Sequence, residues 1–246
     1  MKQRLKIRDL VLVPFKEALE AIPEGKVLIN TVNAHSFVTA QRDEAFAEAL
    51  LGGDYLIPDG ISIVKACRWL KVPDAPREKI AGADLFAFEM ERLNRKGGTC
   101  LFMGSSEAVL ARIREKAAET YPGIRIETYS PPYKDEFSDE DNAAIVAAIN
   151  KADPDLLWIG MTAPKQEKWA YAHWQELDIH CHCGTIGAVF DFFAGTYRRA
   201  PGWWIDHNLE WFYRLIKEPG RMWKRNFVSN PKFILLTLKE KLSRKD

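Results

Sequence analysis

The sequence lacks the long apolar runs that would place it in a membrane or in the secretory pathway. No run approaches the roughly 18 apolar residues of a membrane span, and the first ten residues, MKQRLKIRDL, have no sustained apolar core typical of a signal peptide. A net charge of +1 over 246 residues favours neither a nucleic-acid partner nor an acidic one. These absences predict a cytoplasmic protein whose only contact with a membrane is peripheral.

Cysteines are also few, and their spacing shows no disulfide framework. Four are present: Cys67, Cys100, Cys181 and Cys183. The run His-Cys-His-Cys at 180–183 could suggest a metal, but no second Cys/His cluster exists to complete a tetrahedral site. We therefore expect reduced, buried thiols, no metal site and no cofactor.

Charge and aromatic residues are unevenly distributed along the chain. Residues 198–246 carry twelve Lys/Arg and five Asp/Glu, a net charge of +7, and half of the eight tryptophans lie after residue 201. Such asymmetry predicts a basic segment that meets a negative surface. We divide the chain into an α/β body, residues 1–199, and a helical basic C-terminal appendage, residues 200–246.

Apolar runs with strand length alternate with segments of helical periodicity. Such alternation predicts an α/β fold, with a Rossmann-like, mostly parallel sheet that has helices on both faces. The G-x-G-x-x-G fingerprint of a dinucleotide-dependent dehydrogenase does not follow any strand. The predicted strands are 11–15, 27–32, 55–57, 99–103, 125–129, 156–159 and 179–183.

Two stretches place polar residues directly after predicted strands. In LLWIGMTAPKQEKW the strand ends at Gly160 and a helix opens near Pro164, which puts Gln166 and Glu167 in its first turn. In CHCGTIGAVFDFFAGTYRRAP the turn contains Gly187, and Asp191 follows in a helix or loop. Because ligands of open α/β sheets bind outside the carboxyl ends of strands, we expect these stretches to form two walls of one cleft.

The same two stretches resemble signature segments of the WecG/TagA/CpsF family of bacterial glycosyltransferases. Three further segments agree in order: TVNAHSFV at 31–38, IPDGISIV at 57–64 and LEWFYRLIKEPGRMWKR at 209–225. The resemblance implies an inverting, UDP-sugar-dependent hexosyltransferase that acts on an undecaprenyl-diphosphate-linked acceptor in cell-envelope polysaccharide or teichoic acid biosynthesis. N-acetylmannosamine, its uronic acid and glucose all remain open as the transferred sugar. The alternative is a non-catalytic regulator that binds a UDP-sugar.

Asp59 is the first candidate for a catalytic residue. It ends a predicted strand before Gly60, and inverting sugar transfer needs one base to take the proton of an acceptor hydroxyl. An Asp-Gly pair is also a common surface turn, so the spacing alone leaves both interpretations open. The resemblance places the family's catalytic base at Asp59.

The other candidates would bind the donor or its nucleotide. By resemblance, Thr31 and Asn33 contact the donor, although both residue types also cap helices. Lys79 stands where the family typically has Arg, and it cannot give the bidentate fork of a guanidinium. The resemblance implies the uracil side of the pocket for Tyr133 and Asp191, although a loop tyrosine can also simply cover the loop. The remaining donor candidates are Gly104 and Ser105 at a strand–helix turn, and Gly160, Gln166, Glu167 and Gly187 in the cleft.

Two charge patterns are candidate binding sites: a pair of acids is rejected as a metal site, and a set of basic residues is assigned to the acceptor and the membrane. Asp153-Pro154-Asp155 spells the Asp-x-Asp pattern of metal-dependent sugar transferases, but it precedes its strand and so lies at the end opposite the cleft; we predict metal-independent catalysis. The appendage carries a basic stripe that we assign to the acceptor diphosphate and the anionic inner leaflet, although a solvated helix face is the simpler alternative. The sequence leaves the oligomeric state open, a homo-oligomer included. The stripe consists of Arg214, Lys217, Arg221, Lys224 and Arg225.

Overall fold

A computed structural model describes residues 5–198, 200–207, 209–217 and 219–243. It has the predicted α/β fold, built on one six-stranded sheet in which every paired strand is parallel. The spatial order is β2-β1-β6-β5-β3-β4. The strands are β1 Val27–Val32, β2 Tyr55–Pro58, β3 Gly98–Gly104, β4 Ile124–Tyr129, β5 Leu156–Gly160 and β6 His182–Thr185.

Helices cover both faces of this sheet, as the alternation of strands and helices predicted. Eight of them follow or separate the strands, and short 3₁₀ turns precede β1 and β6. The helices are α1 Ala34–Ala40, α2 Glu44–Leu51, α3 Ile61–Trp69, α4 Gly82–Lys96, α5 Glu107–Thr120, α6 Asp139–Ala152, α7 Lys165–Ala172 and α8 Val189–Ala194.

The central strands β3 and β5 are almost wholly apolar because both of their faces are buried. Cys100 and Phe102 of β3 pack on one side, in a core that includes residues of α4, α5 and α8. Leu101 and Met103 pack on the other side, in a core that includes residues of α6 and α7. A continuous apolar run of this length therefore marks a central strand here.

Two predicted strands are wrong in position. Residues 11–15 do not form a strand; the Val13 N–H does reach the Leu56 carbonyl of β2 at 3.0 Å, but Pro14 has no N–H to continue a ladder. The last strand begins at His182 and not at residue 179, so Gly184 lies inside it. A side chain at Gly184 would collide with the Trp158 ring, which explains a glycine there.

Residues after 200 are helical wherever the structure describes them. Four α-helices and one π-helix follow α8, and none of the described helices combines the length and the apolar character that crossing a bilayer requires. Their bounds are α9 Gly202–Asp206, α10 Glu210–Lys217, α11 Pro219–Trp223, the π-helix Lys224–Ser229 and α12 Asn230–Leu242.

The last helix packs closely on the body. The Phe233 ring meets Phe37 of α1 edge-on, with 5.5 Å between ring centroids. The Glu240 carboxylate accepts hydrogen bonds from the backbone N–H groups of Ile7 at 2.8 Å and Arg8 at 3.1 Å. Helix α12 therefore completes the core around α1 and the 3₁₀ turn Ile7–Asp9.

Candidate active site

The ends of β1 and β2 bring Asn33 and Asp59 side by side. Val32 pairs with Pro58 in the parallel register, so the next residue of each strand lies at the same edge. Gly60 then turns the chain with a φ of +150°, a conformation that favours glycine. The Pro58 carbonyl also accepts the N–H of Ile80 at 3.1 Å, which brings the loop that carries Lys79 to this edge.

The Asn33 side chain serves both the helix and the carboxylate. Its Oδ1 accepts the backbone N–H groups of His35 at 3.0 Å and Ser36 at 3.1 Å and so caps α1. The same side chain hydrogen-bonds Asp59, an interaction that lowers the pKa of that carboxyl. Because Oδ1 is engaged by the helix, the amide NH₂ is the donor available to the carboxylate.

Residues of the appendage supply the charges around Asp59. Burial raises the pKa of Asp59 above its ordinary value, and this is the largest influence on it. Arg225 and Arg214 lower the pKa, whereas Glu210 raises it. A carboxyl with a raised pKa is a stronger proton acceptor once ionised, and two nearby guanidinium groups favour the ionised form.

The basic stripe is only partly brought to this edge. Arg214 lies over the Phe192 ring of α8, 5.1 Å from its centroid, which joins α10 to the body. Lys217 is exposed. The side chains of Arg221 and Lys224 lie outside the described part of the structure. Among the stripe residues with described side chains, Arg214 and Arg225 are the ones whose charges act on Asp59.

Gln166 and Glu167 lie in the protein interior beside the ends of β5 and β6. Gln166 Oε1 accepts the Met161 N–H at 3.2 Å, and Gln166 Nε2 donates to Glu167 Oε1 at 2.9 Å. A side chain at Gly187, whose φ is +39°, would meet Gln166 Oε1 at 3.1 Å. Gln166 therefore joins the loops that follow β5 and β6.

Glu167 is 2% exposed, and its Oε2 has no hydrogen-bond partner among the described residues. Burial raises the pKa of Glu167 to about 7, against the opposing effect of the hydrogen bond from Gln166. The carboxyl is therefore partly protonated near neutral pH. This geometry makes it a group that holds Gln166.

The glycines at the ends of β3 and β5 allow two backbones to pass closely. Gly104 has a φ of +119°, and a side chain there would collide with the Gly160 carbonyl oxygen. Ser105 follows in a left-handed conformation with a φ of +59°. Its carbonyl accepts the Ser130 hydroxyl at 2.8 Å, which fixes the turn between β3 and α5.

The remaining predicted donor residues are spread along the same edge. Thr31 is half-buried within β1, paired with Ile57. Tyr133 projects fully into solvent from the loop after β4. Asp191 lies in α8, and its Oδ1 accepts the Thr196 hydroxyl at 3.3 Å. These three positions lie towards the carboxyl edge of the sheet, and each is held by a different element.

Asp153 and Asp155 lie at the amino end of β5, as expected. Asp153 ends α6 with a φ of +40°, and Asp155 Oδ2 accepts the Thr99 N–H of β3 at 2.8 Å. Both acids thus have structural roles at the edge opposite Asp59. Within the described ranges, no group of three or more His, Cys, Asp or Glu side chains is arranged to hold a metal ion.

The structure also brings to the site residues that sequence reasoning missed. Glu210 acts on Asp59 from α10, and its i,i+4 spacing to Arg214 was a readable signal of a shared helix face. His35 lies in the first turn of α1, and its Nδ1 is hydrogen-bonded to Ser229 of the π-helix at 2.8 Å. No sequence pattern links residues so far apart.

A parallel sheet with helices on both faces, and a buried carboxylate at its carboxyl edge, defines an α/β protein with a Rossmann-like fold. The chain belongs to the glycosyl transferase WecG/TagA/CpsF family, whose model matches residues 5–246. It is therefore a glycosyltransferase, and the resemblance inferred from its five segments is confirmed.

Two relatives bear the same name, N-acetylglucosaminyldiphosphoundecaprenol N-acetyl-beta-D-mannosaminyltransferase. The protein from Bacillus subtilis (strain 168) is 33% identical over 218 residues, which cover 89% of this chain and 81% of the relative. The protein from Bacillus spizizenii is 30% identical over 234 residues, which cover 94% of this chain and 87% of the relative.

Proposed function

We propose that this chain is an inverting, metal-independent hexosyltransferase that moves a sugar from a UDP-sugar to a polyprenyl-diphosphate-linked acceptor. The observation that carries the proposal is Asp59, a carboxylate of raised pKa at the carboxyl edge, flanked by the charges of Arg214 and Arg225. UDP-N-acetylmannosamine and a GlcNAc-diphosphate lipid are the first substrates to test, because the two relatives are named for that transfer. The uronic acid and glucose donors remain alternatives.

In the proposed reaction Asp59 is the general base. Its carboxylate takes the proton of an acceptor hydroxyl as that oxygen attacks the anomeric carbon of the donor sugar. The bond from that carbon to the diphosphate breaks, and its electron pair leaves with UDP. Because the attack comes from the face opposite UDP, the configuration at the anomeric carbon inverts.

Cations have to stabilise the diphosphate charges in this reaction. Arg214 and Arg225 are placed near Asp59 by α10 and the π-helix, and guanidinium groups bind phosphate through paired N–H donors. We assign them, with Lys217, Arg221 and Lys224, to the diphosphate of the acceptor lipid and the adjoining membrane surface.

The donor would occupy the edge between β1 and β3. Thr31, Asn33 and Lys79 would contact its sugar and phosphates, and the Gly104–Ser105 turn before α5 would meet the diphosphate. Tyr133 and Asp191 are the candidates for the uracil. Gln166, held by Glu167 and flanked by Gly160 and Gly187, would contribute an amide from the far wall.

Peripheral membrane contact is supported by the exposed apolar residues of the appendage. Trp203, Trp211 and Trp223 are each about half exposed, and α12 presents Ile234 and Leu235 to solvent. Such residues, mixed with basic ones, favour the interface between water and lipid. We propose that this surface lies against the cytoplasmic face of the membrane.

UDP release from a panel of UDP-sugars, with and without a synthetic lipid-linked GlcNAc-diphosphate acceptor, tests the proposal. Release that depends on the acceptor supports transfer and identifies the donor. Binding of a UDP-sugar without release under any condition would instead favour a non-catalytic regulator. A parallel assay in EDTA should retain activity; loss that magnesium or manganese restores would refute metal independence.

A further inference from the structure

A hydrogen bond joins the appendage to the first turn of α1, which begins beside the candidate base Asp59. His35 Nδ1 and Ser229 Oγ are 2.8 Å apart. Ser229 is 4% exposed and His35 is half-buried, so this contact is largely shielded from water. A buried polar contact between segments so distant in sequence fixes their relative position because either group would be costly to leave unsatisfied.

On the body side, His35 belongs to the same turn as the residue that orients Asp59. The His35 N–H donates to Asn33 Oδ1 at 3.0 Å. Asn33 in turn hydrogen-bonds Asp59. The position of His35 is therefore tied to the carboxylate through one intervening side chain.

On the appendage side, Ser229 belongs to the π-helix that carries Arg225. The Asn230 N–H donates to the Arg225 carbonyl, five residues back, instead of the usual four. This wider turn changes the direction in which side chains on either side of it point, and such turns are frequent at functional sites. Ser229 therefore lies at the carboxyl end of the same widened turn as Arg225.

We propose that His35 is a positioning residue that holds the π-helix in register and so sets Arg225 against Asp59. The proposal rests on the proposed function of Asp59 as general base. It assigns no contact between His35 and substrate. It links Asp59, through hydrogen bonds of Asn33, His35 and Ser229, to the π-helix that carries Arg225, whose charge acts on Asp59.

The position of Arg225 has a measurable consequence. Arg225 lowers the pKa of Asp59, as Arg214 does from α10, whereas Glu210 raises it. If Arg225 moves away, the pKa of Asp59 rises, and the acid limb of the pH profile of kcat/KM moves to higher pH. A merely structural loss would lower activity without moving that limb.

The test compares His35→Ala, Ser229→Ala and Arg225→Gln with the wild-type chain in the transfer assay across pH. The hydrogen bond between His35 and Ser229 is called the latch below, and His35→Ala and Ser229→Ala are the latch variants. We expect these two variants to lose roughly 10–100-fold in kcat/KM, as small misplacements of catalytic groups do. Their acid limbs should move in the same direction as that of Arg225→Gln. His35→Asn, which keeps a polar atom near the Nδ1 position, should recover much of the loss.

The matched control is His173→Ala. His173 is half-buried at the end of α7 and contacts Glu176 through Nδ1 at 2.9 Å, with no link to the π-helix among the described contacts, so its loss should leave both rate and pH profile unchanged. Latch variants with the wild-type acid limb, or His35→Asn with no recovery, would refute the proposal.

A second readout does not depend on activity. Backbone hydrogen exchange of residues 224–229 should speed up in His35→Ala and Ser229→Ala, with β1 and β2 still protected, and stay unchanged in His173→Ala. Unaltered exchange in the latch variants would refute the latch even if no donor is ever transferred. Conversely, a wild-type chain without transfer refutes the proposed function but leaves the exchange result to decide the latch.

Discussion

Asp59 shows how its environment can set the strength of a single carboxylate. Its strand-end position is readable from the sequence, but its raised pKa results from burial and from Arg225, Glu210 and Arg214 on later helices. The base and the charges that tune it thus come from parts of the chain more than 150 residues apart. If the appendage moved away from the body, the pKa of Asp59 would lie closer to its ordinary value.

Asp59→Asn should abolish most transfer while UDP binding survives. The amide cannot accept the proton of the acceptor hydroxyl, and loss of a general base costs roughly 10²–10⁴ in rate. Single-turnover transfer and UDP titration by calorimetry measure the two effects separately. Turnover within a few-fold of wild type would rule out Asp59 as the base.

The raised pKa of Glu167 predicts that pH affects the stability of the fold and not the chemical step. Its ordinary pKa of 4.5 is raised to about 7 in the folded state, so the folded chain keeps a proton that the unfolded chain has lost between these values. The free energy of unfolding should therefore fall as pH rises through this window, by roughly 3 kcal/mol. Above about pH 7 this contribution should stay constant.

Glu167→Gln cannot ionise and should lack this decline. Urea unfolding at pH 5 and pH 8 measures it: relative to wild type, the variant should gain stability at the higher pH. Glu119→Gln, at an exposed position of α5, is the matched control. A difference from wild type that is the same at both pH values would contradict the raised pKa.

The residue scale also shows where sequence reasoning stops. The proximity of Asn33 and Asp59 was predictable, because parallel strands end at one edge. The inward direction of Glu167 was not, since the rotation of α7 about its axis is set by packing on other elements. The effect of Arg225 on Asp59 was equally unpredictable, because it depends on a π-helical turn that has no recognisable periodicity in the sequence.

At the scale of elements, an ion cluster joins α4 to the start of β6. Glu89 Oε1 lies 2.9 Å from His182 Nδ1, and Glu89 Oε2 lies 2.7 Å from the Arg92 guanidinium. His182 Nε2 also lies 2.9 Å from the Pro23 carbonyl oxygen. The His-Cys-His-Cys run therefore contributes a histidine to a buried hydrogen-bonded cluster at the edge opposite Asp59.

Glu89→Ala should destabilise the fold by about 2 kcal/mol or more, because it leaves the buried His182 and the partly exposed Arg92 without their carboxylate. Glu91→Ala, at an exposed position of the same helix, should change stability by less than about 0.5 kcal/mol. The urea midpoints of the two variants provide the comparison. Equal midpoints would mean that the cluster contributes nothing to stability.

Most elements were predictable because their signals are local. Alternating strands and helices with clear ends, such as Ser138 before α6, appear in the sequence and in the structure; the Ser138 hydroxyl accepts the Asp141 N–H at 3.2 Å. The error at 179–183 arose because Ile179 and Cys181 are as buried as strand residues. The apolar pattern indicates that these residues are buried, but it does not show that they pair with a neighbouring strand.

At the scale of the whole molecule, the exposed apolar surface and the positive charge coincide after residue 200. The separation into a body and an appendage at residue 199 stays a prediction. Removing residues 200–246 would be a poor test of it, because Phe233 and Glu240 complete the packing around Phe37 and Ile7. Point changes on the exposed side are cleaner.

Lys217→Glu should weaken binding to vesicles that contain anionic lipid by roughly 30-fold, since each basic charge near such a surface contributes about 1 kcal/mol. Lys151→Glu, the same change at the exposed end of α6, should have little effect. Vesicle sedimentation at low and high salt measures both, and salt should reduce wild-type binding. Equal loss in the two variants would mean that net charge alone governs binding.

The bonds from Glu240 to the N–H groups of Ile7 and Arg8 impose an order on biosynthesis. A ribosome makes residue 7 early and residue 240 late. The 3₁₀ turn Ile7–Asp9 therefore lacks the Glu240 carboxylate until almost all of the chain between them has been synthesised. The strand-end cleft can assemble from shorter nascent lengths, but the layer beneath α1 cannot close before α12 arrives. Nascent chains stalled before Glu240 should therefore remain exposed to chaperones and proteases at that layer.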